Sequence, residues 1–446
     1  MGVKSNNKES ENMNPNIGKS HNENMAQKHK KKTIVLLFFI YYMLIINYHV
    51  VISNVFNYTG FKAEYFSYVK LLTSASYTSI WILLSMFIKK SFYKTVYSII
   101  IIIYYFGQSI FYIYNDSSFL LVVYMSIPLA ATLLADKLDK NTVFKRSIIN
   151  LKENYTRLFF VVLVLLFVLP FFRFYRSINL KNLFLIDIYS TRMIMRSYDK
   201  GILGYVFPPL SRVVLPFLFV YGIKNKKKML SIMSIVSVLL LFLLNGALKS
   251  IFFGTITAIF FIKGDYPKKE MNFLKAFFYA NVLGLVSYAV FKSSLINDYM
   301  RRIIFVPASL FETYFVYFKN NLTYFFHSKT LSTLSLHERE FSISQFIGEN
   351  VIGKEGLNAN VGIFVEGFFS FGTIGVFMFS LFFMFILIYV RKLNFSGAYF
   401  GIFFAFLYII NTSFIETLML THGLLFLLVF AFLFFPKEER VNLFKK

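Results

Sequence analysis

"TIVLLFFIYYMLIINYHVVIS", residues 33–53, contains no Asp, Glu, Lys or Arg. About 20 apolar residues are enough to carry a helix through the hydrocarbon core of a bilayer. The stretch follows the basic run "KHKKK" and has no small-residue cleavage site, so it is expected to be an uncleaved first span and not a removed signal peptide. The Asn-, Lys- and Glu-rich segment before it, 1–32, has no capacity for a packed core and is expected to be a disordered cytoplasmic tail.

The rest of the chain repeats this theme. Of 446 residues 57% are hydrophobic and only 15% charged, with a mean hydropathy of +0.59, more apolar surface than a soluble domain can hide. Further apolar runs fall at about 66–88, 95–114, 118–135, 157–175, 201–222, 229–247, 249–262, 273–292, 361–390, 397–415 and 419–435. The expected fold is an all-α polytopic membrane protein of about twelve transmembrane helices, forming one domain over 33–435. The 249–262 run is short, and 361–390 is long enough to tilt or to project beyond the bilayer.

The charge of +25 lies mainly between the apolar runs, as topology signals do, which argues against nucleic acid as a partner. With the N-terminus inside, about 30 of the 47 basic residues face the cytoplasm, and the 436–446 tail joins them there. Two connections on the other side are long, 176–200 and 293–360; the second is a large extracytoplasmic loop expected to contain interfacial helices. The chain has no cysteine, so it holds no disulfide or thiolate–metal site. The six histidines are scattered and no paired acidic motif occurs in the first outer loop, so no metal site or cofactor is expected.

Charged residues in such a chain mark either solvated faces or a site. Arg192 and Arg196, four apart, suit an amphipathic helix at the headgroups or a clamp for an anion, because the guanidinium fork binds phosphate oxygens in pairs. Arg301 and Arg302 open "RRIIFVPASLFETYFVYF", which has the composition of an interfacial helix roofing a cavity. Arg212 falls inside an apolar run interrupted by Pro208, Pro209 and Pro216, where a charge faces a wet cavity or a partner. Lys249, in a tight turn before the short run, is aimed inward or snorkels to the headgroups. In "GLNANVGIFVEGFFSFGTIGV" (356–376), Asn358 and Glu366 lie two turns apart, so a continuous helix would set them on one face. There Asn358 and Asn360 can bond sugar hydroxyls or phosphate oxygens, and Glu366 can accept a proton. Gly372 and Gly375 suit the close approach of a neighbouring helix.

That late span, with its Asn-containing loop, its acid and "FGTIG", resembles the oligosaccharide repeat-unit polymerases, the O-antigen polymerase (Wzy-type) family. "LSRVVLPFLFVYG" (210–222), "LLNGALKSIFFG" (243–254) and "RRIIFVPASLFETYFVYF" followed by "FFHS" (325–328) are similar in order and placement, and the likeness covers about 200–430. No outer-loop arginine here is followed eleven residues later by glycine, as in some relatives, so the resemblance singles out no one arginine.

The resemblance implies a GT-C-like membrane glycosyltransferase in a bacterial cytoplasmic membrane. It would transfer a growing glycan from a polyprenyl-diphosphate carrier onto a repeat unit on a second carrier, without a metal, for an O-antigen, capsule or other exopolysaccharide. A chain-length regulator and a flippase would be its partners. Arg301, Arg302, Arg192 and Arg196 would engage diphosphate, with Arg212 and Lys249 lining the cavity below, and Glu366 would take the acceptor proton, with Glu312 and His327 as rivals. A lipid-linked oligosaccharide flippase, a ligase using the same donor and a membrane scaffold are the alternatives; a transporter would be expected to have two related halves, and no repeat is visible.

Overall fold

The structure, a computed structural model, describes residues 15–140, 142–144, 172–184, 188–198, 203–246, 248–328 and 342–437. Among these residues the chain is helical, with no strand beyond one isolated bridge between Phe395 and Lys437. Seven helices are long and apolar enough to cross a membrane: Gln27–Val55, Ser91–Tyr114, Phe119–Leu138, Gly204–Lys224, Lys228–Asn245, Tyr266–Phe291 and Ile363–Lys392. Ile251–Phe261, Gly397–Ile410 and Leu424–Phe434 are shorter apolar helices. This is a multi-pass α-helical membrane protein. The expected run at 157–175 lies outside the described residues as far as 171, as do 1–14, 329–341 and 438–446.

The first helix begins at Pro15, so the second half of the segment expected to lack order continues the helix of the first span. Its basic turns find partners: His29 Nε2 lies 3.0 Å from the Pro267 carbonyl, and Lys30 donates to the Met86 carbonyl at 3.1 Å.

Ser91–Tyr114 is the central helix, with 94% of its most apolar stretch buried, against 28% for Tyr266–Phe291 at the rim. Rim helices present bare apolar rows such as Tyr279, Leu283, Val286 and Val290, which only acyl chains can cover. Many polar groups inside the bundle are paired with one another, as burial away from water favours. Tyr41, Ser74, Thr78 and Ser109 form one hydroxyl cluster, with Ser74 and Ser109 2.7 Å apart.

The helices alternate between two ends. At one end the Asp136 carboxylate accepts the backbone N–H groups of Lys89 and Lys90, both at 2.9 Å, starting the next helix among lysines. The opposite end gathers the junctions at 56–67, 114–118, 245–246, 292–328, 342–362 and 411–423. There Ser117 donates to Glu312, Lys70 donates to the Asn115 carbonyl at 2.8 Å, and Tyr314 donates to the Ala359 carbonyl at 2.9 Å. This second end carries the candidate site.

One helix departs from its sequence pattern. Ile363–Lys392 is broken at Phe371 and Gly372, where Gly372 takes φ 63° and ψ −145°. That backbone conformation is closed to side chains with a Cβ. The two arms fold back so closely that a Cβ on Gly375 would lie 1.8 Å from the Gly367 carbonyl oxygen. The expected tilted span is therefore a short arm, 363–370, and a crossing arm, 373–392. The two glycines bring together arms of one helix, not a neighbour.

Candidate functional site

Glu366 sits on the short arm and is 1% exposed. Its Oε1 lies 3.0 Å from His327 Nε2, and its Oε2 accepts the Ile415 N–H at 2.5 Å. His327 Nδ1 in turn lies 3.1 Å from the Thr323 hydroxyl. The imidazole is walled by Phe325, Phe369 and Phe414, which leave it little freedom to rotate. The N–H groups of Thr323 and Tyr324 donate to the carbonyls of Phe369 and Ser370, satisfying the end of the short arm. Acid, imidazole and hydroxyl thus form a fixed chain able to hold or pass a proton. Beside it, Ser328 donates to Glu416 at 2.5 Å.

A second feature lies at the other end of the same connection. Arg212 is 8% exposed and lies on a π-helical turn, Leu210–Val214. Pro208, Pro209 and Pro216 supply no N–H groups there, and the turn closes instead by Leu215 N–H to the Leu210 carbonyl. Arg212 lines a cavity of about 120 Å³ with Phe207, Ser211, Asn245, Thr421 and His422. Its Nη1 has no hydrogen-bond partner among the described residues, and neither has His422 Nδ1. His422 Nε2 lies 2.9 Å from the Ser413 hydroxyl. Burial, with the Arg212 charge adding to it, pushes the His422 imidazole down to about 3, so this ring is neutral at pH 7.

The remaining candidates are dispersed. Arg301 is 9% exposed and already occupied: Nη2 and Nε donate to Asp298 Oδ1 at 2.6 and 3.2 Å, and the guanidinium lies over Phe56 and Phe61 at 4.6 and 5.6 Å. Exposed Arg302 donates to the other Asp298 oxygen at 2.8 Å. Arg301 fastens the 297–305 region onto the 56–61 loop, and neither arginine lines the Arg212 cavity.

Arg192 is exposed on the Ile188–Ser197 helix, whose Thr191 and Met195 are buried. Lys249 lies in the first turn of Leu248–Phe261; its side chain and that of Arg196 are outside the described residues. Asn358 and Asn360 are exposed in a non-helical strip, because the helix starts only at Ile363 with Gly362 as its N-cap. The shared helical face expected for Asn358 and Glu366 therefore does not exist. Between the two asparagines, Ala359 is pinned, its N–H donating to the Ser344 carbonyl at 2.8 Å. Glu312 is half-buried, and burial raises its carboxyl above the usual range against the lowering effect of the Ser117 hydroxyl.

Sequence reasoning missed Thr323, Ser328, Ile415, Glu416 and His422. The last three share the 411–423 connection, where "IETLMLTHG" offered an acid and a lone histidine between two apolar runs. Among the described residues no three His, Asp or Glu side chains gather as a metal-binding group. No family model, curated protein or solved structure matches this chain.

Proposed function

We propose that this chain is a membrane-embedded glycosyltransferase that polymerises polyprenyl-diphosphate-linked oligosaccharide repeat units. In this reading the site end faces the exterior of a bacterial cytoplasmic membrane, the lysine-rich end faces the cytoplasm, and the GT-C-like fold makes about twelve crossings. One observation carries it. The 411–423 connection holds both the buried acid–imidazole pair, through Ile415, and the cavity lined by Arg212, whose Nη1 has no partner among the described residues, through His422.

Transfer of a glycan from a lipid diphosphate needs both kinds of group. The bond from the anomeric carbon to the diphosphate oxygen breaks, and the acceptor oxygen forms the new bond. The acceptor proton passes to Glu366 or His327. Arg212 stabilises the charge left on the diphosphate, with Lys249 as a second cation. Arg301 acts in this scheme as a clasp on the roof, which moves the anion-binding role from the arginine pair to Arg212.

The test is the glycan profile of cells. Deleting the gene should leave glycans of a single repeat unit. Restoring it with Glu366→Gln or Arg212→Gln should lower polymer yield by about 10²-fold or more, with the protein still present in the membrane. Repeat units trapped inside the cell would point to a flippase, and long chains retained on the lipid carrier to a ligase. Either result defeats the proposal.

A further inference from the structure

The helix Val306–Phe318 has two working faces. Phe311, Tyr314 and Phe318 pack against Phe368 and Phe369 of the short arm, with ring centroids 5.2 to 5.9 Å apart. The other face turns Glu312, Thr313 and Tyr317 toward an open cleft of about 540 Å³, completed by Asn320, Asn321 and Val351. That volume is within the range of small-molecule sites, about 300–1,000 Å³.

The chemistry of the cleft is selective. Tyr317 is 40% exposed, and its ring is held edge-on by Phe318 at 4.9 Å and Phe346 at 5.5 Å, which fixes it as a platform. Asn320 and Asn321 are exposed, and each amide offers donors and an acceptor side by side. Glu312, steadied by Ser117, adds an acceptor. None of the lining residues is cationic and the one charged lining residue, Glu312, is acidic; Lys70 and Lys319 act on it from outside the lining. A ligand with paired hydroxyls and an apolar ring face matches these groups, with the Tyr317 ring, Val316 and Val351 meeting the ring face and the amides and the carboxylate meeting the hydroxyls.

We infer that this cleft is an oligosaccharide subsite, in which Tyr317 stacks on a sugar ring and Asn320, Asn321 and Glu312 bond its hydroxyls. The inference rests on the proposed function for its substrate class and adds where the carbohydrate part is held. The chain also gives the subsite a direct route to the acid. From Asn321 it runs at once to Thr323 and Tyr324, which are bonded to the short arm, and on to His327. A glycan seated in the cleft therefore presses on the segment that carries the proton relay.

Binding can be measured apart from transfer. The full-length protein in nanodiscs is titrated with lipid-free, phosphate-free oligosaccharides released by mild acid from the producing cell's own surface glycan. Tyr317→Ala should weaken binding about tenfold, while Tyr317→Phe keeps it, since stacking needs the ring and not the hydroxyl. Asn320→Ala combined with Asn321→Ala should weaken it by a similar factor. Failure of every released oligosaccharide to bind the wild type, or equal binding by wild type and Tyr317→Ala, overturns the subsite. Tyr317-dependent binding in a protein whose Glu366→Gln variant still makes full-length polymer supports the subsite and removes only the catalytic assignment.

Discussion

Among the described residues two glutamates are buried, each with a histidine near it, at opposite ends of the bundle. Glu270 and Glu366 are each 1% exposed. At the lysine-rich end, Ser98 donates to Glu270 at 2.5 Å, His29 Nδ1 lies 3.8 Å away, and the ammonium of Lys94, one turn from Ser98, compensates the charge. These groups come from three long continuous helices, and His29 is further tied to the Pro267 carbonyl. Such a cluster closes on itself and fastens helices together. At the other end Glu366 is held by an imidazole and a backbone N–H, and its carrier is a short arm that stops at a break. His327 and Ile415 stand on connections, not on spans. The same residue pair is a staple where a cation and continuous helices surround it. In the proposed function it serves as a proton-exchanging pair where the carboxylate is held by an imidazole and a loop N–H on a broken helix.

Exchanging glutamate for glutamine at each end separates the two roles. Glu366→Gln should cost about 10²–10⁴-fold in transfer while leaving the melting temperature within a few degrees. Glu270→Gln should do the reverse, removing the carboxylate that acts on buried Lys94 and costing about 1–3 kcal/mol of stability. Thermal unfolding in detergent and transfer per folded molecule check both. A Glu270→Gln protein that melts normally but cannot transfer would break the contrast.

A smaller effect is expected at the break itself. Gly372→Ala forces a Cβ into a conformation that costs about 1–3 kcal/mol. Because the strain falls on the arm carrying Glu366, transfer should decline more than stability. Equal declines would mean that the break is only a packing feature.

The smallest effect concerns a third imidazole, that of His422. His422 titrates near 3 in the folded protein and near 6.5 in an unfolded chain. Its contribution to stability is therefore complete above about pH 6.5 and is lost as the pH falls toward 3. His422→Gln should flatten that part of the melting-temperature profile, measured as the difference from wild type so that carboxylates cancel. An unchanged profile would mean that the ring beside Arg212 is already protonated or solvated.

Much of this was legible in the residues. The uncharged run at 33–53 and its successors announced helices in lipid, because no other conformation satisfies the backbone there. The three prolines around Arg212 announced a distorted turn at a buried charge, and a π-helical turn is found there. The clasp of Arg301 and Arg302 was written in "NDYMRR", since Asp298 stands three and four residues before them. The arginine pair drew attention while its carboxylate did not.

Other features had no local signature. No charged residue interrupts "GFFSFGTIGV", and its glycines suit helix packing as well as a break, so the fold-back at Gly372 is not distinguished by the apolar pattern. Asn358 does not share a helical face with Glu366 because the helix waits until Gly362 for its start. By itself the sequence determined a bundle of membrane helices, a lysine-rich end and a shortlist of charged groups, because transfer from water to lipid acts on each segment separately. Only the tertiary structure decided which of those groups meet. His327 and Glu366 are 39 residues apart and Ile415 and Glu366 are 49 apart, and contacts over such separations depend on how the helices pack.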